Sequence, residues 1–307
     1  MDGVRGRPVN GASGRVDAHH HVWDPARRPQ PWLDPPAMGA IRRSFSVADL
    51  TPAAAAAGMS ATVLVQVSTD EAETAEFLAL AAAEPLIAGV VGWTDLTAGD
   101  VGDRIAALRA GPGGEHLVGV RHLVQSEPDP DWLCRADVHR GLRAVAAAGL
   151  RYDLLTVPHQ LPAAIRTARA LPDLTFVLDH LSKPPIASGR LDPWAGLVRE
   201  LAAEPNVACK LSGMVTEADH HRWTADALRP YADVVLDAFG PRRLLFGSDW
   251  PVCLLAASYA DVVAAAEAVL AELSPAERDE VFRGTASRVY RLDPHVGAQA
   301  TAACRGT

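Results

Sequence analysis

The sequence predicts a single (β/α)8 TIM-type barrel with an extra C-terminal helix. Three observations carry that expectation: eight short apolar, β-branched runs recur along the chain, Ala- and Leu-rich stretches with helical spacing separate them, and the two kinds alternate throughout. The first run, RVDAHHH (15–21), is followed by a long Pro-rich stretch, 22–46, of the kind that covers functional sites. SVADLTPAAAAAG (46–58) reads as a helix closed by Gly58, ATVLVQV (61–67) as the second strand and DEAETAEFLALAAAE (70–84) as a helix. LIAGVVGWTDL (86–96) and HLVGVRHLV (116–124) are the third and fourth strands, and DVHRGLRAVAAAGL (137–150) is a helix closing on Gly149. RYDLLTV (151–157), LTFVLDHL (174–181) and NVACKLSG (206–213) follow as strands, with helices in LPAAIRTARALP (161–172) and WAGLVRELAAEP (194–205). A last strand, RRLLFGSDW (242–250), comes after a helix that ends on Gly240. Residues 259–292 carry the eighth helix and then a further one, with Ser274 as its N-cap and Pro275 at its first helical position.

An open doubly wound sheet is the alternative architecture. Its dinucleotide-binding form requires G-x-G-x-x-G after a strand, and none of these strands is followed by one. Residues 1–14 and 293–307 read as flexible tails, leaving 15–292 for the barrel.

Composition narrows the function. With 307 residues, 49% of them hydrophobic, and a formal net charge of -8, the chain has no broad cationic surface, so nucleic acid and anionic membrane surfaces are not expected partners. Its longest apolar runs fall short of the roughly 20 residues of a spanning helix, and the basic N-terminus lacks an apolar h-region, which points to the cytoplasm. Cys134, Cys209, Cys253 and Cys304 have no CxxC pair or regular spacing and read as reduced thiols.

Candidate chemistry gathers where strands end. In VDAHHHVWDP, strand alternation turns His19 and His21 to one face and His20 to the other, giving two imidazoles at the catalytic end of a barrel strand. His180 and Lys183 close the sixth strand and Asp249 and Trp250 the eighth; Trp93, Arg121, His159 and Lys210 sit at or near the ends of the third, fourth, fifth and seventh. Singly, each has an ordinary reading as a turn cap, a backbone partner or a solvated charge. Arg121 and Lys210 are harder to place that way, because an unpartnered cation inside an apolar run is costly.

DAHHHVW, GVVGWTDL, GVRH, VLDHLSKP, NVACKLSG, FGSDWPV and the terminal ASRVYRL together resemble the amidohydrolase-2 branch of the amidohydrolase superfamily, and within it the sugar-lactone hydrolases of the L-fuconolactonase and L-rhamnonolactonase type. The resemblance runs from about residue 15 to 292; FGSDWPV and DH-x-x-KP are its specific segments. It implies an enzyme that opens a sugar (aldono)lactone to the aldonic acid, with Asp249 as general base and His180 beside it. It further implies one divalent ion, zinc in the first place, on His19, His21 and Asp249, with a metal-free route left open. Binding of the sugar falls to Arg121, Lys183, Lys210, Trp93, Trp250 and His159. Two positions depart from relatives: His20, where Gln is common, and Thr285, where Asn is common. The fourth strand has no Lys, so the bridged two-metal site of other superfamily members is not expected. The alternatives are a metal-dependent decarboxylase or amide hydrolase using the same residues, and a non-catalytic sugar-binding barrel. The oligomeric state, including a homo-oligomer, stays open.

Overall fold

The computed structural model describes residues 14–292; the two expected tails lie outside the described residues, apart from Gly14. Eight parallel strands pair in chain order: β1 (Arg15–His20), β2 (Met59–Val65), β3 (Ile87–Gly92), β4 (Leu117–His122), β5 (Arg151–Leu154), β6 (Phe176–Leu178), β7 (Val207–Leu211) and β8 (Leu244–Phe246). The chain after β8 closes the barrel on β1: Asp249 N–H donates to the His19 carbonyl at 2.9 Å and His21 N–H to that of Trp250 at 2.7 Å. Between the strands run α1 (Val47–Ala56), α2 (Glu71–Ala83), α3 (Val101–Ala110), α4 (Ala136–Ala147), α5 (Leu161–Ala170), α6 (Trp194–Ala202), the short α7 (Met214–Glu217) and α8 (Ala225–Phe239), with α9 (Tyr259–Val269) after β8.

Local chemistry sets the helix ends. Ser46 with Asp49, Ser258 with Asp261 and Ser274 with Glu277 form reciprocal capping boxes on α1, α9 and α10 (Pro275–Asp279). Gly58, Gly149 and Gly240 take positive φ just past three helices, a conformation that costs a glycine little. The expected C-terminal helix is interrupted: a wider π-turn over Glu280–Gly284 separates α10 from α11 (Thr285–Tyr290).

Two apolar layers result. Leu64, Val90, Tyr152, Phe176, Leu211 and Phe246 pack against the helices. Val16, Val63, Val91, Val177, Ala208 and Leu245, from six of the eight strands, meet inside the barrel together with Tyr290 of α11. The final helix therefore plugs the barrel, which explains why the chain continues beyond the eighth unit. Among the described residues no helix is long and apolar enough to cross a membrane, and Cys134, Cys209 and Cys253 are free thiols; Cys304 lies outside them.

Candidate active site

The four residues expected at the centre meet at one point. His19 Nε2 and His21 Nε2 lie 3.1 Å apart, and Asp249 Oδ1 lies 3.8, 3.6 and 3.8 Å from the Nε2 atoms of His19, His21 and His180. His20 turns the other way, and both its ring nitrogens are buried without a partner among the described residues.

Backbone geometry places them. Past β6 the chain leaves the strand conformation, and His180, Leu181, Ser182 and Lys183 all take positive φ, between 51° and 58°. Asp249 does so too, at 57°. Such conformations are sparsely populated by non-glycine residues and persist where the surroundings enforce them, characteristically at functional sites. Gly213, at φ 68°, lets the chain after β7 pass beneath the imidazole of His180: a Cβ there would lie 2.9 Å from three of its side-chain atoms. Gly247 gives way to His19 in the same manner, with 2.7 Å between a Cβ and that of His19.

Beneath the imidazoles lies a buried charge cluster. Lys210 Nζ donates to Asp153 Oδ2 at 2.6 Å and sits 3.1 Å from His19 Nδ1 and 2.9 Å from Asp179 Oδ1. Arg121, in register with Asp153 across β4 and β5, donates to Asp179 Oδ2 at 3.0 Å and to the backbone and side-chain oxygens of Gln66. The Tyr290 hydroxyl donates to Asp153 from below. Burial pushes the Asp153 carboxyl up to about 6 against the attraction of Lys210. At Asp179 burial acts in the same sense, yet Lys210, His19 and Arg121 together hold it well below the usual carboxylate range. Lys210, expected from sequence to bind the sugar, is fully buried beside His19 and does not line the cavity.

Burial pushes the His180 imidazole down to about 4 despite Asp249 and Asp179, and lowers His19 well below its usual value with help from Lys210. Burial alone would raise Asp249; His180, His21 and Lys183 outweigh it and leave the carboxyl below its usual range. At neutral pH the centre is therefore an ionised carboxylate beside the neutral imidazoles of His19 and His180.

His19, His21 and Asp249 form a donor set for one cation. A tetrahedral ion with bonds of about 2.0–2.1 Å separates its donors by roughly 3.3–3.4 Å, close to the 3.1, 3.6 and 3.8 Å found here. His21 Nδ1–H donates to the Val65 carbonyl at 2.8 Å, which leaves Nε2 with its lone pair toward the centre. A second grouping, His19, Asp179 and His180, also brings ligand atoms together. Lys210 and Arg121 already neutralise that carboxylate, so the residues fit one ion and not two.

Above the centre a cavity of about 330 Å³ opens, with His21, His180, Asp249, Arg121 and Lys183 on its wall. Part of its apolar side comes from the 22–46 segment: Trp23 and Trp32 line it, Trp32 held by a hydrogen bond to Gln30 and edge-on against Trp23. Arg28, bonded to Asp70 and Glu76, ties the same segment to α2. Trp93, Trp250 and His159 do not reach the cavity wall. Trp93 donates to His122, Trp250 packs edge-on against Phe45, and His159 is solvent-exposed. Thr216, Glu217 and His220, in and after α7, line the mouth and were not singled out in the sequence.

A family model described as Amidohydrolase matches residues 16–292. An L-fucono-1,5-lactonase of Burkholderia ambifaria is 40% identical over 291 residues, 93% of this chain and 98% of that one. One of Burkholderia multivorans is 42% identical over 289, covering 91% and 96%. Crystal structures of a Burkholderia multivorans amidohydrolase, one with HEPES bound and one with zinc, are 40% identical and superpose with TM-scores of 0.86 and 0.85, each over 91% of this chain and 99% of that one. From its first strand to its last helix, the chain belongs to the amidohydrolase family.

Proposed function

We propose that the protein hydrolyses a sugar lactone, opening an aldonolactone to its aldonic acid. The observation that carries the reading is the ionised Asp249 carboxylate at the cavity floor, ringed by three Nε2 atoms. The similarity to the L-fucono-1,5-lactonases supplies the substrate class. Asp249 takes a proton from water as its oxygen attacks the lactone carbonyl. Negative charge then develops on the carbonyl oxygen beside imidazole and guanidinium donors of the wall, His180 and Arg121. When the ring C–O bond breaks, the leaving alkoxide takes the proton back from Asp249, so protons balance over the cycle. Ser212, 2.9 Å from His180 Nδ1, and Lys210, on His19 Nδ1, fix the two imidazoles from behind. A divalent ion on His19, His21 and Asp249, zinc being the first choice, would supply Lewis-acid polarisation of the carbonyl and a more acidic water.

A pH-indicator assay on a panel of L- and D-aldonolactones tests this. Wild type should release one proton per lactone opened, and Asp249→Asn should lose about 10²–10⁴-fold in kcat while keeping its melting temperature. Near-normal turnover in the variant would remove Asp249 from the role of base. Release of CO2 from an aromatic acid would instead favour a decarboxylase.

A further inference from the structure

The cavity mouth is completed by α7, which follows directly on the turn at Gly213. There the Glu217 carboxylate lies 3.7 Å from Lys183 Nζ, and the two side chains are 27% and 28% exposed, so the pair faces cavity water and not the core. The lining contains two permanent cations, Arg121 and Lys183, and two acids, Glu217 and Asp249. Arg121 is committed to Asp179 and Gln66, and Lys183 has Glu217 beside it. Both cations of the described lining thus already have an acidic partner, Asp179 for Arg121 and Glu217 for Lys183, and neither is unbalanced. From the side chains of the wall an anionic ring would gain no unmatched positive charge, and it would meet Glu217 at the mouth; like charges brought together in a confined site are strongly disfavoured. A neutral polyhydroxylated ring finds the opposite situation, since Lys183 offers donors and Glu217 acceptors to its hydroxyls.

We propose that Glu217 is a specificity-determining residue: paired with Lys183, it selects uncharged polyhydroxylated lactones and rejects carboxylated ones. The proposal rests on the lactone-hydrolase reading and assigns to it a residue and a substrate charge.

The test compares two ligands at pH 8: the aldono-1,4-lactone that is turned over best, and the aldaro-1,4-lactone of the same configuration, which carries a carboxylate at C6. Wild type should prefer the neutral lactone in kcat/KM by at least about 100-fold, and Glu217→Gln, which keeps shape and removes charge, should narrow that preference by at least about tenfold. The double variant Glu217→Gln/Lys183→Met should lose the gain, because the freed ammonium is what takes up the carboxylate. An unchanged preference in Glu217→Gln, or a gain that survives loss of Lys183, overturns the assignment. If wild type opens no lactone, the hydrolase reading fails separately. Calorimetric titration of D-galactono- and D-galactaro-1,4-lactone then decides the role of Glu217: a shift of about tenfold toward the acid in Glu217→Gln upholds it, and no shift, or no binding, overturns it.

Discussion

Replacing Lys210 with Met removes one of two cations from a buried cluster in which Asp153 and Asp179 are otherwise balanced by Lys210 and Arg121. Arg121 remains on Asp179, so the unbalanced charge falls on Asp153. In the wild type burial already holds that carboxyl up to about 6 with the ammonium 2.6 Å away. Without Lys210 it rises further, and the folded variant keeps a proton there that the folded wild type has released. The sign follows: between pH 6 and 8 the variant's folded state binds more protons than the wild type's, so its stability relative to wild type falls as pH rises. Each pH unit above 6 adds about 1.4 kcal/mol to the deficit, hence about 3 kcal/mol by pH 8. Below pH 6 the difference is flat and reflects the lost ion pair with Asp179 and the lost contact with His19, about 1.5–3 kcal/mol. At about 2 °C per kcal/mol for a chain of this size, melting temperatures should diverge by roughly 6 °C between pH 6 and 8. Calorimetric melts of wild type, Lys210→Met and Lys210→Met/Asp153→Asn across that range are the assay, with the double variant parallel to wild type. Parallel curves for the single variant, or persistent divergence in the double, would refute the charge-balance argument.

Two further expectations concern the first strand. Burial pushes His20, whose ring nitrogens have no partner among the described residues, down to about 3, whereas in the unfolded chain it titrates near 6.5. Stability is therefore lost as pH falls from 6.5 toward 3, by about 2 kcal/mol at pH 5, and His20→Gln should flatten urea-derived stability between pH 7 and 5 by that amount; an identical slope contradicts it. Purified protein incubated with zinc and desalted should hold no more than one ion per chain by elemental analysis, and His21→Ala should reduce that at least about tenfold. A stoichiometry of two would show that Lys210 and Arg121 do not block a second position.

Much of this was readable in the residues, unevenly. The eight strands follow from apolar β-branched runs and the helix starts from Ser and Asp caps, because burial and orphan N–H groups act locally. The central four, His19, His21, His180 and Asp249, followed from position at strand exits together with the family resemblance. Asp153 and Asp179 were missed although the signal was present: two cations in apolar strands, Arg121 and Lys210, demand two acids, and RYDLLTV and LTFVLDHL each hold an Asp amid apolar neighbours. Which tryptophans face the cavity was not legible. Alternation sets sidedness only within a strand, and Trp32 lies on an extended covering segment while Trp93 and Trp250 stand just beyond strand ends, where the chain turns. Glu217 escaped for a similar reason, lying on a helix of four residues.

The left-handed backbone at Asp249 shows how far the site depends on the first strand for more than its imidazoles. Asp17 Oδ1 accepts the N–H groups of Ser248 at 2.8 Å and His19 at 3.1 Å, while Asp17 Oδ2 accepts the hydroxyl of Tyr259 on α9. Asp249 N–H then bonds the His19 carbonyl, and Cys253 N–H bonds the carbonyl of Asp249. The strained residue is thereby held on both sides, and the hold runs through the strand that carries His19 and His21. One element sets both the imidazoles and the carboxylate that faces them, so the 3.6 and 3.8 Å separations between them are a property of barrel closure. An acid two residues before the first histidine is therefore part of how the Asp249 carboxylate is positioned, although it never reaches the cavity.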